Sequence, residues 1–168
     1  FFVDGMFEDG PAVRAGLLRG DRVLAIDGQP PGTSPRLDWR ADDAHLPDPP
    51  VHALLVEAGE TVRFLVESTP GSSREVRVTA VRTSAYAQSQ ASRQRVRIGD
   101  HTFGYLHLWF VFHGRAAALV RSFGAEFADC DGLLLDLRGR GGSATECQAI
   151  VRVLASLQQD GMRMAFLV

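Results

Sequence analysis

The sequence predicts an α+β first half and an α/β second half, joined by a polar stretch. Three observations carry that reading. Val62, Phe64 and Val66 alternate with Arg63 and Glu67, and Val76, Val78 and Val81 follow in a second run, the pattern of a half-buried β-hairpin. Leu133 to Leu137 is instead continuously apolar, as in a strand covered on both faces of a parallel sheet, and helical patterns flank it. Between the halves, Thr83 to Arg95 (TSAYAQSQASRQR) is polar and poor in aliphatics and reads as a linker.

Taken in order, Phe1 to Phe7 is an apolar segment around Asp4-Gly5 that predicts a strand. Pro11 suits the first turn of a short helix from Ala12 to Leu17, closed by Arg19-Gly20-Asp21. Arg22 to Ile26 predicts a strand, and Asp27-Gly28 a tight turn. Gln29 to Pro50, rich in Pro, Asp and Gly, predicts a long loop or insertion. A short helix over Val51 to Ala58 follows, ended by Gly59, and then the hairpin of Thr61 to Val81. In the second half, Arg97 to Asp100 and Phe103 to Phe110 form a strand pair. Gly114 to Phe127 is a helix with Leu119, Phe123 and Phe127 at four-residue spacing. Leu133 to Leu137, a helix over Ser143 to Leu157 and a strand over Met164 to Val168 complete a layered α/β unit.

Composition narrows the function classes. The 168 residues are 45% hydrophobic, enough for a packed core, and no apolar run approaches the ~20 residues that span a bilayer. A net charge of −2 gives no basic patch for nucleic acid. All 18 cations are arginine, so a Ser–Lys dyad cannot be assembled within the chain. Cys130 and Cys147 read as buried free thiols. His101, His107 and His113 have neither metal-site spacing nor supporting carboxylates, and Gly139 to Gly142 lacks the Gly-Lys ending of a phosphate loop, so neither a metal nor a cofactor is expected. Ser143 follows two glycines, but Thr145 stands where a nucleophile elbow needs glycine; a helix cap is the expected role of Ser143 or Thr145. Nothing in the spacing of Asp136 and Glu146 makes them an acid–base pair.

Gly10-Pro11-Ala12, Ala15-Gly16-Leu17, Gly20-Asp21 and Ile26-Asp27-Gly28 stand in the order of a PDZ domain, which residues 1–82 resemble. The resemblance implies a module that adds a peptide as a strand and holds its terminal carboxylate with backbone amides. Gly10, Gly16, Gly20 and Gly28 read as turn formers, and Ala12, Ala15, Leu17 and Ile26 as core. The carboxylate loop and ligand strand of such domains precede the segment at Phe1, so the predicted helix supplies what remains of a groove, with His52, Leu55 and Val56 as its lining.

Phe103-Gly104-Tyr105-Leu106-His107-Leu108, a helix, Leu133-Leu134-Leu135-Asp136-Leu137-Arg138, a glycine turn and a second helix are similar to the start of the catalytic core of carboxyl-terminal processing (tail-specific) serine proteases. Residues 96–168 resemble the N-terminal part of that crotonase-like ββα core, truncated, like the PDZ-like module, with respect to the family. The turn reads Gly139-Arg140-Gly141-Gly142-Ser143, where Arg140 replaces asparagine, Gly141 proline and Ser143 glycine. The resemblance implies oxyanion stabilisation by the amide of Gly141 or Gly142, with Asp136 and Arg138 ordering the turn. It places the nucleophile, and a base that is lysine in most of the family and histidine in a tricorn-type relative, outside this chain. The implied parent is a serine endopeptidase that recognises C-terminal tails and resides outside the cytoplasm, whereas the 168 residues alone are expected to be inactive. The alternative is a peptide-binding scaffold that has kept this core and lost its chemistry. Membrane association of the parent, its substrate and its oligomeric state are not written in the sequence.

Overall fold

The computed structural model describes residues 1–40, 51–111, 114–138 and 141–168, and divides into two units, Phe1–Arg82 and Thr83–Val168. In the first unit the alternating segment becomes the middle of a three-stranded antiparallel sheet. Strand β1 (Arg22–Ile26) pairs with β4 (Thr61–Thr69), which pairs with β5 (Ser72–Thr79). Val62, Phe64 and Val66 all point inward from β4, joining Leu17, Ile26 and Val76 in the core. The β4–β5 turn is only Pro70-Gly71, tighter than the five-residue loop read from the sequence. The turn after β1 is as predicted: Asp27 (φ 50°) and Gly28 (φ 83°) are both left-handed, as a type I′ turn requires.

Helix α1 (Pro11–Arg14) is a single turn with Pro11 at its start. It is fixed through the loop that follows it. Asp21, 1% exposed, accepts hydrogen bonds from Leu18 N–H (2.9 Å), the Ser68 hydroxyl (2.5 Å) and Arg74 Nη2 (2.7 Å). Burial pushes its carboxyl up, but those donors outweigh it and leave Asp21 below the usual carboxylate range. The loop is thereby tied to β4 and β5.

Three elements of this unit differ from the sequence reading. Phe1 to Phe7 forms no strand, only one antiparallel bridge (Phe2 opposite Arg22), with Val3 N–H donating to Asp21 O and Val23 N–H to Phe1 O. The segment Gln29–Arg40 is not plain loop. It holds a 3-10 turn (Pro31–Thr33) and strand β2 (Leu37–Arg40), while 41–50 lie outside the described residues. The helix expected over Val51 to Ala58 is strand β3 (Val51–Leu54), paired antiparallel with β2. Pairing wins over helix propensity because it satisfies the backbone of both segments and sets Leu37 opposite Leu54 against the core.

The second unit is a four-stranded sheet in the order β6 (Gln94–Ile98), β7 (His101–His107), β8 (Gly132–Asp136), β9 (Met164–Leu167). The first pair is antiparallel and the other two are parallel. Helix α3 (Ala116–Glu126) crosses from β7 to β8, and α4 (Ala144–Gln159) from β8 to β9. Leu119, Val120 and Phe123 of α3, Ile150 and Val153 of α4, and Leu106, Leu133 and Leu135 of the sheet share one core.

The predicted linker belongs to this unit. Helix α2 (Ala85–Ala91) occupies most of it and β6 starts at Gln94. Its serines explain why a polar segment packs. Ser92 Oγ accepts the His107 N–H (2.9 Å) and buried Ser89 Oγ accepts the Trp109 N–H (3.0 Å), continuing the edge of β7 beyond the end of β6. The cysteines are free, but Cys130 is half-buried and Cys147 exposed, so the expectation of burial fails for both. Cys147 lies on the outer face of α4, between the inward residues Glu146 and Ile150.

Gly104 lies where β7 passes α3. A Cβ there would stand 2.6 Å from Phe127 Cβ and 3.1 Å from Leu133 Cδ2. Gly104→Ala is therefore expected to destabilise the second unit by about 1–3 kcal/mol through overpacking. Chemical denaturation with a probe in that unit measures it, and an unchanged midpoint contradicts the packing described.

Candidate functional site

At its C-terminal end the buried strand β8 must leave the sheet, and it does so through Asp136. This residue is fully buried, and its main-chain carbonyl accepts the Leu108 N–H (2.9 Å), extending the β7–β8 ladder. The carboxylate collects four donors from two residues. Tyr105 Oη donates to Oδ2 at 2.9 Å, Arg138 N–H to Oδ1 at 3.1 Å, and Arg138 Nε and Nη2 at 3.0 and 2.6 Å. His107 Nε2 is 3.9 Å from Oδ1, its ring stacked on Trp109 with centroids 4.0 Å apart. Burial alone pushes the Asp136 carboxyl up. The bonds from Arg138, with Tyr105 and His107 beside them, more than offset it and lower the group to about 2. The same pair raises the Arg138 guanidinium above its ordinary value.

Gly139 and Arg140, part of the predicted turn, lie outside the described residues. The chain resumes at Gly141 and Gly142, exposed and with φ of 82° and 144°. Here Val111, four residues past β7, forms a parallel bridge with Gly142. Val111 N–H donates to Gly141 O (3.3 Å), and Ser143 N–H donates to Val111 O (3.0 Å). The groups flanking Gly142 are thus turned towards Val111, which leaves the Gly142 N–H at the opposite edge. Among the described residues, none accepts it. A Cβ on Gly142 would sit 2.4 Å from Val111 Cβ, so only glycine permits this approach.

Ser143 then caps α4, its hydroxyl accepting the Glu146 N–H (3.3 Å). Of the two expected cap residues, Ser143 and Thr145, it is Ser143 that takes the role. The 16-residue helix behind it adds positive potential at the glycine turn. Chemically, the arrangement offers an outward backbone donor in a field that favours negative charge, which is what an oxyanion needs.

The structure brings Asp136, Arg138, Gly141 and Gly142 together at the end of one strand. His52, Leu55 and Val56 belong to the first unit. His52 lies in β3, half-buried, with its ring 5.1 Å from that of Phe1, while Leu55 and Val56 are exposed just beyond the strand. They line no helix, because none forms there. Sequence reasoning missed Val111 as the partner of the turn, Tyr105 as a donor to Asp136, and Glu146 as a buried group. Only the last left a signal, since Ser143-Ala144-Thr145-Glu146 has the form of a capping box.

A family model for the PDZ domain matches residues 2–39. Residues 2–39 of the first unit are thus similar to a PDZ domain, within a chain of mixed α and β structure. The chain is also similar to a solved structure, the "Putative S41 protease from Bacteroides fragilis NCTC 9343", at 17% identity and a TM-score of 0.44. The likeness covers 84% of this chain and 36% of that one, so the chain spans about a third of the length of the protein it matches. No curated protein matches the chain.

Asp136 also sets an acid limit on stability. Its folded value of about 2 lies below the ordinary 3.8, so its contribution, about 2 kcal/mol, is present above pH 4 and lost as the pH falls towards 2. Asp136→Asn is expected to lower stability at neutral pH by about that amount and to flatten the acid slope in this window. Urea denaturation at pH 7, 4 and 3 reads both effects, and an unchanged slope contradicts the assignment.

Proposed function

We propose that the chain is the PDZ domain and the first part of the catalytic core of a serine endopeptidase acting on proteins recognised by their C-terminal tails. The observation that carries this reading is the Gly142 amide, exposed at the end of a buried strand and beside the N-terminus of α4, with both neighbouring backbone groups tied to Val111. The order of the motifs supports it: PDZ signature first, then the glycine–aromatic strand, the Asp136-Leu137-Arg138 strand end and the glycine turn.

In this mechanism a serine supplied beyond Val168 attacks the scissile carbonyl. Its base takes the hydroxyl proton and returns it to the leaving amine, and water then hydrolyses the acyl-enzyme. The carbonyl oxygen becomes an alkoxide in each tetrahedral intermediate, and the Gly142 N–H donates to it. Ser143 N–H is already engaged with Val111, and the Gly142 N–H lies on the edge away from that bridge, which favours Gly142 as the donor. The Asp136–Arg138 pair fixes the strand end from which the turn departs and touches no substrate. The PDZ unit recruits apolar C-terminal tails by strand addition. Because β3 stands in place of a groove helix, the tail packs against a hairpin surface near His52 and Leu55. An extracytoplasmic location belongs to the same proposal.

The test uses the protein extended past Val168 and an unstructured substrate ending in apolar residues. Cleavage is expected, and an amide-to-ester replacement at Gly142, which removes the N–H but keeps the glycine geometry, is expected to lower kcat by about 10²–10³-fold while tail binding to the first unit persists. Binding of the tail without cleavage by the unaltered protein contradicts the enzyme reading and favours the scaffold that has lost its chemistry.

A further inference from the structure

The sequence Ser143-Ala144-Thr145-Glu146 has the spacing of a capping box, in which the glutamate turns back to the N–H of the serine three residues before it. Only half of that box forms. Ser143 Oγ does accept the Glu146 N–H, but Ser143 N–H donates to Val111 O instead. The Glu146 carboxylate, on a residue 6% exposed, reaches away from its own helix. Oε2 accepts Gly114 N–H and Oε1 accepts Ala117 N–H, each at 2.8 Å.

Those two amides belong to the start of α3, whose cap residue, Arg115, makes no side-chain capping bond. A glutamate near the N-terminus of α4 therefore caps α3, while the backbone carbonyl leading into α3, that of Val111, takes the amide at the cap of α4. The two helix starts have exchanged partners. The consequence falls on the glycine turn between them. Val111 holds Gly141 and Ser143, and Gly114, three residues further on, is held by Glu146. One end of this loop of bonds is the turn leading into α4 and the other is Glu146 in its first turn, so Val111 is clamped against Gly142.

We infer that Glu146 is a positioning residue: its carboxylate holds Gly114 and Ala117 and thereby steadies Val111 and the outward direction of the Gly142 N–H. Its catalytic consequence rests on the peptidase reading, but the clamp itself does not. A buried carboxylate is well suited to this role. It accepts two backbone donors at once, and charge-assisted bonds to amides at a helix start are stronger than neutral ones. Glutamine has the same shape, but its Nε2 cannot accept and would replace the oxygen that faces Gly114 or Ala117, so one of those bonds is lost.

Amide hydrogen exchange on the 168-residue chain tests the clamp without any activity. In Glu146→Gln the amides of Val111 and Ser143 are expected to exchange at least about tenfold faster, with Leu133 and Leu135 in β8 unchanged. Equal rates at Val111 and Ser143 in the two proteins overturn the proposal. Should the variant fail to fold, the unaltered chain supplies the second measurement. Under low denaturant, Gly114, Ala117, Val111 and Ser143 are expected to open as one group, and independent opening of the first two overturns it. In the extended protein, Glu146→Gln is expected to lower kcat about 10- to 100-fold with KM little changed, as for a misplaced catalytic group. An unchanged kcat there overturns the catalytic consequence. If the unaltered extended protein does not cleave, the peptidase reading falls, and the exchange result still decides the clamp.

Discussion

The second unit is organised around one buried charge. Asp136 ends a largely buried strand, where an isolated carboxylate is costly, and three side-chain donor atoms and one amide make it tolerable. Each partner has a structural consequence. Tyr105 ties the carboxylate to β7, and Arg138, by folding back within two residues, forces the chain out of the sheet direction immediately after β8. Without that compensation the strand end has no defined exit, and the glycine turn that follows has no defined origin. The function assigned to the turn therefore depends on an ion pair that has no part in the chemistry.

The turn adds a second constraint, made of backbone rather than charge. Val111 and Gly142 approach so closely that any side chain on Gly142 overlaps Val111. That closeness lets the bridge consume the Gly141 carbonyl and the Ser143 amide, with the Gly142 N–H turned to the opposite edge. Relative to the family pattern, proline and a second glycine are absent here, at Gly141 and Ser143. The geometry accommodates both changes: Gly141 adopts a positive φ closed to proline, and the Ser143 side chain serves as a cap.

Much of this was legible in the sequence, for reasons that differ by element. The hairpin of β4 and β5 and the buried strand β8 follow from side-chain periodicity, because burial on one face or two leaves different patterns. The Asp27-Gly28 turn follows from the backbone angles it requires. The failures share another cause. Val51 to Leu54 contains good helix formers, and only its partner strand, fourteen residues earlier at Leu37, makes it β. Residues 83–95 look unstructured because their packing contacts are made by serine hydroxyls replacing strand partners. In the candidate site, Asp136 and the glycines stand in a local motif, whereas Val111 and Glu146 act through neighbours that are remote in sequence and are visible only once the chain is folded.

The most direct measurement is a crystal structure of the protein extended past Val168, bound to a peptide boronate that mimics the tetrahedral intermediate. The account predicts a boronate oxygen within about 2.7–3.1 Å of the Gly142 nitrogen, with the Val111 bridge intact behind it. A boronate bound elsewhere, or one whose oxygens are held only by other groups while the Gly142 N–H faces solvent, contradicts the assignment of this turn to catalysis.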